Sequence, residues 1–127
     1  MDKMNKKRIL VVEDEIELVK AIQIRLEQAG YEVLTAYDGQ EALDKTRKEK
    51  IDLIILDLMI PKIDGYKVCR ILKFDKKYKQ IPIIMLSARA QESDIKLGTE
   101  VYADAYIIKP FDHQLVISKI RELLKEK

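Results

Sequence analysis

Five chemically capable side chains follow apolar runs at four separate places in the 127-residue chain. Glu13 and Asp14 follow ILVV, Asp57 follows IDLIIL, Ser87 follows IIML and Lys109 follows AYII. Each alone is weak evidence, since strand ends are commonly polar. The carboxyl ends of parallel strands meet at one edge of a sheet, where α/β proteins bind their ligands. The joint occurrence of these residues therefore indicates a single site.

The acids among these residues predict a metal ion. Three carboxylates crowded at one edge repel one another unless a cation joins them, and hard oxygen ligands favour Mg²⁺ or Mn²⁺. Such an ion could take one oxygen from Asp14, one from Asp57 and a backbone carbonyl from Met59. It would bring a phosphoryl group toward Asp57 and neutralise charge during transfer.

The remaining polar groups suit a phosphoryl group bound to Asp57. A carboxylate oxygen can act as the nucleophile and give an acyl phosphate. Lys109 would pair with phosphoryl oxygens as a point charge, and the Ser87 hydroxyl would donate a hydrogen bond. The backbone amides of Leu58 and Ala88 could complete the cradle, and the small Ala88 side chain leaves room for the group.

The elements that would hold these residues alternate along the chain. Short, branched apolar runs predict strands that are covered on both faces, and apolar residues at helical spacing predict helices. Predicted strands lie at 9–12, 31–36, 53–56, 83–86 and 105–108, and predicted helices at 16–29, 40–48, 65–74, 92–101 and 113–125. This alternation predicts an α/β fold of the doubly wound (βα)₅ kind, a three-layer sandwich around a parallel sheet.

Size and composition indicate one domain over residues 1–127. The net charge is only +2 and the lysines are spread along the chain, so we expect no direct nucleic-acid binding. Cys69 is the single cysteine, which excludes an intrachain disulfide and suggests a buried, inert thiol. No apolar run is long enough to span a bilayer, and residues 1–8 lack the apolar segment of a signal peptide. We therefore expect a cytoplasmic protein.

The chain resembles the receiver domain of two-component response regulators from about Lys7 to Lys125. The matching segments are ILVVEDE, LDLMIPKIDGYKVC, the pair Ser87-Ala88, and ADAYIIKPFD. Their occurrence together, in order and at the family's spacing, makes the resemblance specific. It implies a flavodoxin-like fold whose parallel sheet has the order 2-1-3-4-5.

The resemblance also implies roles for the site residues. Asp57 is then the phosphoacceptor, Glu13 and Asp14 are the metal-binding acids, and Ser87 and Lys109 contact the phosphoryl group. The implied cofactor is Mg²⁺. The implied partners are a histidine kinase or histidine phosphotransfer protein as the donor, and an output protein or domain that is not identified by the sequence.

Tyr106 matches the aromatic switch position of the family. In the family, phosphorylation draws the hydroxyl residue, here Ser87, toward the phosphoryl group, and the aromatic ring turns inward. The change alters the surface formed by the predicted helix over 92–101, the fifth strand and the last helix. The resemblance further implies a cis Lys109-Pro110 bond, which would aim the lysine at the site.

The chain departs from the family in two respects. Tyr102 stands where a glycine is usual. Receivers that dimerise through this surface often carry an acid, a second acid and an arginine where this chain has Ala105, Leu115 and Lys119. We therefore expect a monomer or a weak, phosphorylation-dependent dimer. His113 is the only histidine and is predicted to be exposed and idle, so the donor histidine belongs to another protein.

Three functions remain open at this point. The leading one is a signalling phosphoacceptor, resembling stand-alone chemotaxis regulators or sporulation-relay receivers, with self-phosphorylation and self-dephosphorylation rather than an enzyme's turnover. The second is the N-terminal receiver portion of a DNA-binding transcriptional regulator. The third, more remote, is a metal-dependent phosphohydrolase for small phosphate esters, which would need a second acid where Met59 stands.

Overall fold

Five parallel strands form one sheet in the order 2-1-3-4-5 in the computed structural model, which describes residues 6–88 and 103–126. The strands are β1 (Arg8–Val12), β2 (Glu32–Ala36), β3 (Leu53–Asp57), β4 (Ile83–Ser87) and β5 (Ala105–Ile108). All four neighbouring pairs run parallel. The predicted fold class and strand order are confirmed.

Burial explains why the central strands are uniformly apolar. Every residue of β3 and β4 is buried, because helices cover both faces of the sheet. Both strands extend one residue beyond the predicted apolar runs, so that Asp57 and Ser87 are themselves strand residues. These two polar side chains are thus held by the rigid end of the sheet rather than by a loop.

Four helices of the described residues cover the sheet: α1 (Ile16–Gln28), α2 (Gly39–Lys48), α3 (Gly65–Lys73) and α4 (His113–Leu123). One hydrophobic core lies between the sheet and helices α1 and α4, and it includes Ile22 and Ile120. The other lies on the opposite face and includes Leu43 and Leu72, from α2 and α3. The predicted helix over 92–101 lies outside the described residues. Within the described chain, none of the helices has the length and apolar character needed to cross a bilayer.

The helix ends follow local capping chemistry. The carboxylates of Asp38, Asp64 and Asp112 accept hydrogen bonds from backbone N–H groups in the first turns of α2, α3 and α4. The last helix is shorter than predicted. It ends at Leu123 because Lys125 adopts a left-handed conformation, with φ of 59°, and so cannot continue the helix.

Candidate functional site

The register of the sheet brings four strand ends to one edge. Val12 is level with Leu56, and Asp57 is level with Leu86. Ser87 is level with Ile108 at the end of β5. Glu13 follows Val12 and Lys109 follows Ile108, so both lie beside Asp57 and Ser87. The structure brings together residues that are up to 96 positions apart in the sequence, since Lys109 bonds to Glu13.

The site is mostly removed from water. Glu13 and Ser87 are fully buried, and Asp57 is only 4% exposed. Asp14, in contrast, is exposed at the rim. An incoming group can therefore approach from the Asp14 side, whereas the remaining polar groups are held by the fold.

Lys109 is the cation of the site. Its Nζ lies 2.7 Å from Glu13 Oε2, where it donates a hydrogen bond, and 3.6 Å from Asp57 Oδ1. The bond from Lys109 to Pro110 is cis, as the resemblance implied. Glu15 Oε1 lies 3.6 Å from the same ammonium. Glu15 was not among the residues predicted for the site, although it is the third acid of the EDE segment after β1.

The acids fit a divalent cation. Glu13, Asp14 and Asp57 each offer a carboxylate oxygen, and these oxygens lie within 4.8 Å of one another. When all three acids are ionised, their negative charge exceeds the single positive charge of Lys109, and hard oxygen donors suit Mg²⁺. Met59 follows in the loop after β3 with an exposed side chain. The role of its carbonyl remains a prediction.

The two partners of the central ion pair influence each other's pKa. Burial raises the pKa of Glu13 to about 7, and the charge of Asp57 adds to this, against the lowering effect of the Lys109 hydrogen bond. Burial lowers the pKa of Lys109, but the Glu13 hydrogen bond and the surrounding carboxylates outweigh it. The pKa of Lys109 is therefore above its ordinary value, and this side chain stays charged.

The backbone part of the predicted cradle needs one correction. The Leu58 N–H donates to the Leu86 carbonyl at 2.9 Å, so the ladder between β3 and β4 already uses this amide. Ser87 lies at the end of β4, where its carbonyl accepts a hydrogen bond from Lys109 N at 2.7 Å. Ala88 follows and is exposed. Its amide remains the predicted backbone donor.

Tyr106 lies on β5 level with Met85 of β4, and it packs against the core that contains α2 and α3. Its hydroxyl is buried and has no hydrogen-bond partner among the residues that the structure describes. The side chain as a whole is half-buried. Tyr106 thus lies near Ser87, which is the last residue of β4.

The structure describes all but one of the other residues singled out in the sequence. Ala105 is half-buried, Leu115 is 50% exposed, and Lys119 pairs with Glu122 at 2.7 Å. Tyr102 lies outside the described residues. His113 is half-buried rather than exposed, because its ring packs edge-on against Phe111, with 5.5 Å between ring centroids.

A cavity of about 340 Å³ opens beside Lys109. Leu18, Ala88, Pro110 and Phe111 supply apolar lining, and Glu15 and His113 supply polar lining. A partner side chain could reach the edge of the sheet through this opening, next to the ammonium of Lys109.

Comparisons with known proteins agree on one family. The family model described as the response regulator receiver domain matches residues 9–121. The alkaline phosphatase synthesis transcriptional regulatory protein PhoP of Bacillus subtilis is 48% identical over 122 residues, which cover 96% of this chain and 50% of that protein. The response regulator ArlR of Staphylococcus aureus is 41% identical over 118 residues, covering 93% and 52%. The chain spans about half the length of these curated relatives.

Solved structures show the same architecture. The chemotaxis protein CheY4 of Vibrio cholerae has a TM-score of 0.87 and 31% identity, with 93% of this chain and 98% of that chain covered. The phosphorylated cyanobacterial phytochrome response regulator RcpA has a TM-score of 0.83 and 32% identity, with 94% of each chain covered. The likeness therefore extends over nearly the whole length of both structures.

Proposed function

This chain belongs to the family of response regulator receiver domains, and on that premise we propose that Asp57 accepts a phosphoryl group from a phosphohistidine donor. The observation that carries the proposal is the setting of Asp57. It is a buried carboxylate at the end of a central strand, 3.6 Å from the Lys109 ammonium and beside two further acids. The hydrolase alternative receives no support, because the family and the relatives named above are regulators.

The transfer makes one bond and breaks one. A carboxylate oxygen of Asp57 attacks the phosphorus atom, and the bond from phosphorus to the donor's histidine nitrogen breaks. The nitrogen keeps the bonding pair and takes a proton from solvent. Lys109 balances charge on the phosphoryl oxygens, and the Ser87 hydroxyl and Ala88 amide donate hydrogen bonds to them. Attack by water on the acyl phosphate then restores Asp57 and releases phosphate.

Glu13, Asp14 and Asp57 would hold Mg²⁺, with Mn²⁺ as a substitute and the Met59 carbonyl as a further ligand. When bound, the ion neutralises charge on the phosphoryl group during transfer. Before the ion binds, the Lys109 ammonium offsets part of the repulsion among the acids, since it bonds to Glu13 and lies 3.6 Å from Asp57.

The family implies a histidine kinase or a histidine phosphotransfer protein as the donor. The ring of His113, the only histidine in the sequence, packs against Phe111. Phosphorylation then draws Ser87 toward the site and shifts Tyr106, whose buried hydroxyl lacks a partner among the described residues. The responding surface includes β5 and α4, where an output partner binds. A cytoplasmic location suits a chain whose one cysteine, Cys69, is buried and is not part of a disulfide.

Intact-mass spectrometry after incubation with acetyl phosphate and Mg²⁺ tests the proposal. We expect one added phosphoryl group on the wild type and none on Asp57→Asn. Asp64→Asn is the matched control, because Asp64 is an exposed helix cap in the loop after Asp57, and asparagine caps a helix equally well. It should be phosphorylated like the wild type. An adduct that persists on Asp57→Asn, or its absence on the wild type with both acetyl phosphate and a phosphohistidine protein, would refute the proposal.

A second candidate is the receiver portion of a DNA-binding regulator. The relatives PhoP and ArlR favour it, since PhoP is named a transcriptional regulatory protein and each is about twice as long as the matched segment. In either case the chain itself is a monomer or a weak, phosphorylation-dependent dimer. The natural reading frame beyond residue 127 distinguishes the two candidates, because only the second requires a DNA-binding domain there.

A further inference from the structure

The loop that follows Asp57 makes close backbone contacts at two glycines, Gly65 and Gly39. This loop, residues 58–64, carries Met59, whose carbonyl is the proposed metal ligand. At its far end Gly65 donates from its N–H to the Leu58 carbonyl at 3.0 Å. A Cβ on Gly65 would lie 2.4 Å from the Asp57 carbonyl oxygen, so no larger residue fits there. This first glycine adjoins the loop in sequence.

The second glycine comes from a different element. Gly39 is the buried first residue of α2, and its N–H donates to the Pro61 carbonyl at 3.1 Å. A Cβ on Gly39 would lie 2.0 Å from the Ile63 carbonyl oxygen and 2.7 Å from Ile63 Cβ. The nearest obstructing atom is backbone, so it cannot rotate away as a flexible side chain could. The start of α2 and the turn 61–63 therefore meet without room for one carbon atom.

The turn itself is held in an uncommon conformation. The Pro61 carbonyl also accepts the Ile63 N–H at 2.9 Å, and Lys62 between them has a φ of 69°. Such a φ is unfavourable for a residue with a Cβ, so neighbouring contacts must maintain it. Lys62 Nζ lies 3.5 Å from Asp38 Oδ2, and Asp38 caps α2 by accepting the Glu41 N–H at 2.8 Å. The ion pair thus connects the turn to Asp38, the residue that caps α2.

We propose that Gly39 is a positioning residue for the metal site. By letting the turn 61–63 lie directly on the start of α2, it fixes the path of the loop from Asp57 and with it the Met59 carbonyl. The inference rests on the proposed function, because it assumes that Mg²⁺ binds at Glu13, Asp14 and Asp57. It adds a residue on α2 that is outside the acid cluster and has no side chain that could bind the ion.

The test measures Mg²⁺ affinity of Gly39→Ala by isothermal titration calorimetry. A side chain at this position must push the turn outward, and loss of such outer support weakens metal sites by about tenfold or more. Gly30→Ala is the matched control. Gly30 also requires its glycine, since its φ is +100°, but nothing lies within 4 Å of its Cβ position and it is in the turn after α1. This variant should lose stability and keep the wild-type affinity for Mg²⁺.

Hydrogen–deuterium exchange of residues 58–64 without metal supplies a second readout. The amides in this loop should exchange faster in Gly39→Ala than in the wild type, and at the wild-type rate in Gly30→Ala. If the wild type bound no Mg²⁺, the metal site of the proposed function and this inference would both fail, whereas phosphorylation of Asp57 would be judged separately by mass spectrometry. Wild-type affinity and loop exchange in Gly39→Ala would overturn the positioning role alone.

Ile63→Gly keeps the inference testable if Gly39→Ala does not fold. It frees the same turn from the other side, because it removes the Cβ that faces Gly39 and adds backbone freedom. We expect weaker Mg²⁺ binding and faster exchange in the loop. Unchanged values for both would overturn the proposal.

Discussion

Glu13 meets two opposing demands. Burial favours its neutral form and raises its pKa to about 7, whereas a divalent cation binds only its carboxylate. Below that pKa the ion must displace a proton. We therefore expect Mg²⁺ to bind about tenfold more weakly at pH 6 than at pH 8, by calorimetric titration across that range. Near pH 7 the binding enthalpy should also depend on the buffer, because protons are released.

The same shift affects the stability of the metal-free protein. The folded chain holds this proton more tightly than the unfolded chain, for which the ordinary pKa is 4.5. The contribution of Glu13 to stability is therefore full below pH 4.5 and is lost as the pH rises through about 7.

Glu13→Gln is the control for the pH dependence of Mg²⁺ binding. This variant should bind Mg²⁺ weakly, with an affinity that does not change between pH 6 and pH 8. A profile as steep as that of the wild type would show that another group titrates.

The rate at which the Cys69 thiol is modified reports how often the structure around α3 opens to solvent. Its thiol is fully buried on α3, and burial raises its pKa to about 12. Both effects protect it, because only an accessible thiolate reacts. We expect modification by a disulfide reagent at pH 8 to be on the order of a thousandfold slower in native buffer than in urea, since a folded domain rarely opens. Rapid modification in native buffer would show that α3 opens locally.

At the scale of elements, one ion pair ties α3 to the start of β5. Lys73 Nζ lies 2.6 Å from Asp104 Oδ2 and donates to the Ile81 carbonyl at 2.8 Å. Asp104 Oδ2 also accepts the Ile83 N–H at 2.8 Å. The Lys73 side chain is only 9% exposed, whereas Asp104 is 34% exposed. The lysine therefore depends on the pair more than the aspartate does.

This asymmetry predicts an order of stabilities. Asp104→Ala leaves the Lys73 ammonium nearly buried without its carboxylate and should lower the free energy of unfolding by about 2 kcal/mol. Lys73→Met removes the buried charge and keeps most of the packing, so its cost should be smaller. Urea unfolding followed by circular dichroism would compare the two variants. A larger loss in Lys73→Met would show that the lysine stem or its bonds to loop carbonyls matter more than the pair.

The elements themselves could be predicted because their patterns are local. The runs that became β3 and β4 are short, branched and apolar, and both strands are buried on each face. The end of the last helix was not predictable in this way. It depends on the left-handed backbone of Lys125, a non-glycine residue that gives no sequence signal for such a turn.

For the molecule as a whole, the parallel arrangement of the strands determines which residues share an edge of the sheet. The register between strands determines which atoms of those residues are in contact. Glu13, Asp57 and Lys109 could be grouped from the sequence because parallel strands end at one edge. The hydrogen bond from the Leu58 N–H to the Leu86 carbonyl could not be predicted in this way, since it follows from the pairing of β3 with β4. Likewise, the closeness of Glu15 to Lys109 depends on the path of the loop after β1.

The acid cluster also has a cost for the whole fold. Folding brings Glu13, Asp14 and Asp57 together against a single ammonium, and like charges at this distance disfavour the folded state. Functional sites commonly carry such a cost, and relieving it stabilises a protein. Asp57→Asn should therefore raise the free energy of unfolding in EDTA by about 1 kcal/mol, measured by urea unfolding.

Mg²⁺ should reduce or reverse this difference in the free energy of unfolding. A ligand at a hundred times its Kd stabilises the folded state by roughly 2.7 kcal/mol, and the wild type offers one more carboxylate to the ion than the variant does. We expect the wild type to gain more from Mg²⁺ than Asp57→Asn, so that the difference in EDTA shrinks or changes sign. A variant that is less stable than the wild type in EDTA would show that the contact between Lys109 and Asp57 outweighs the repulsion among the acids. The same carboxylate would then stabilise the fold even without its ion.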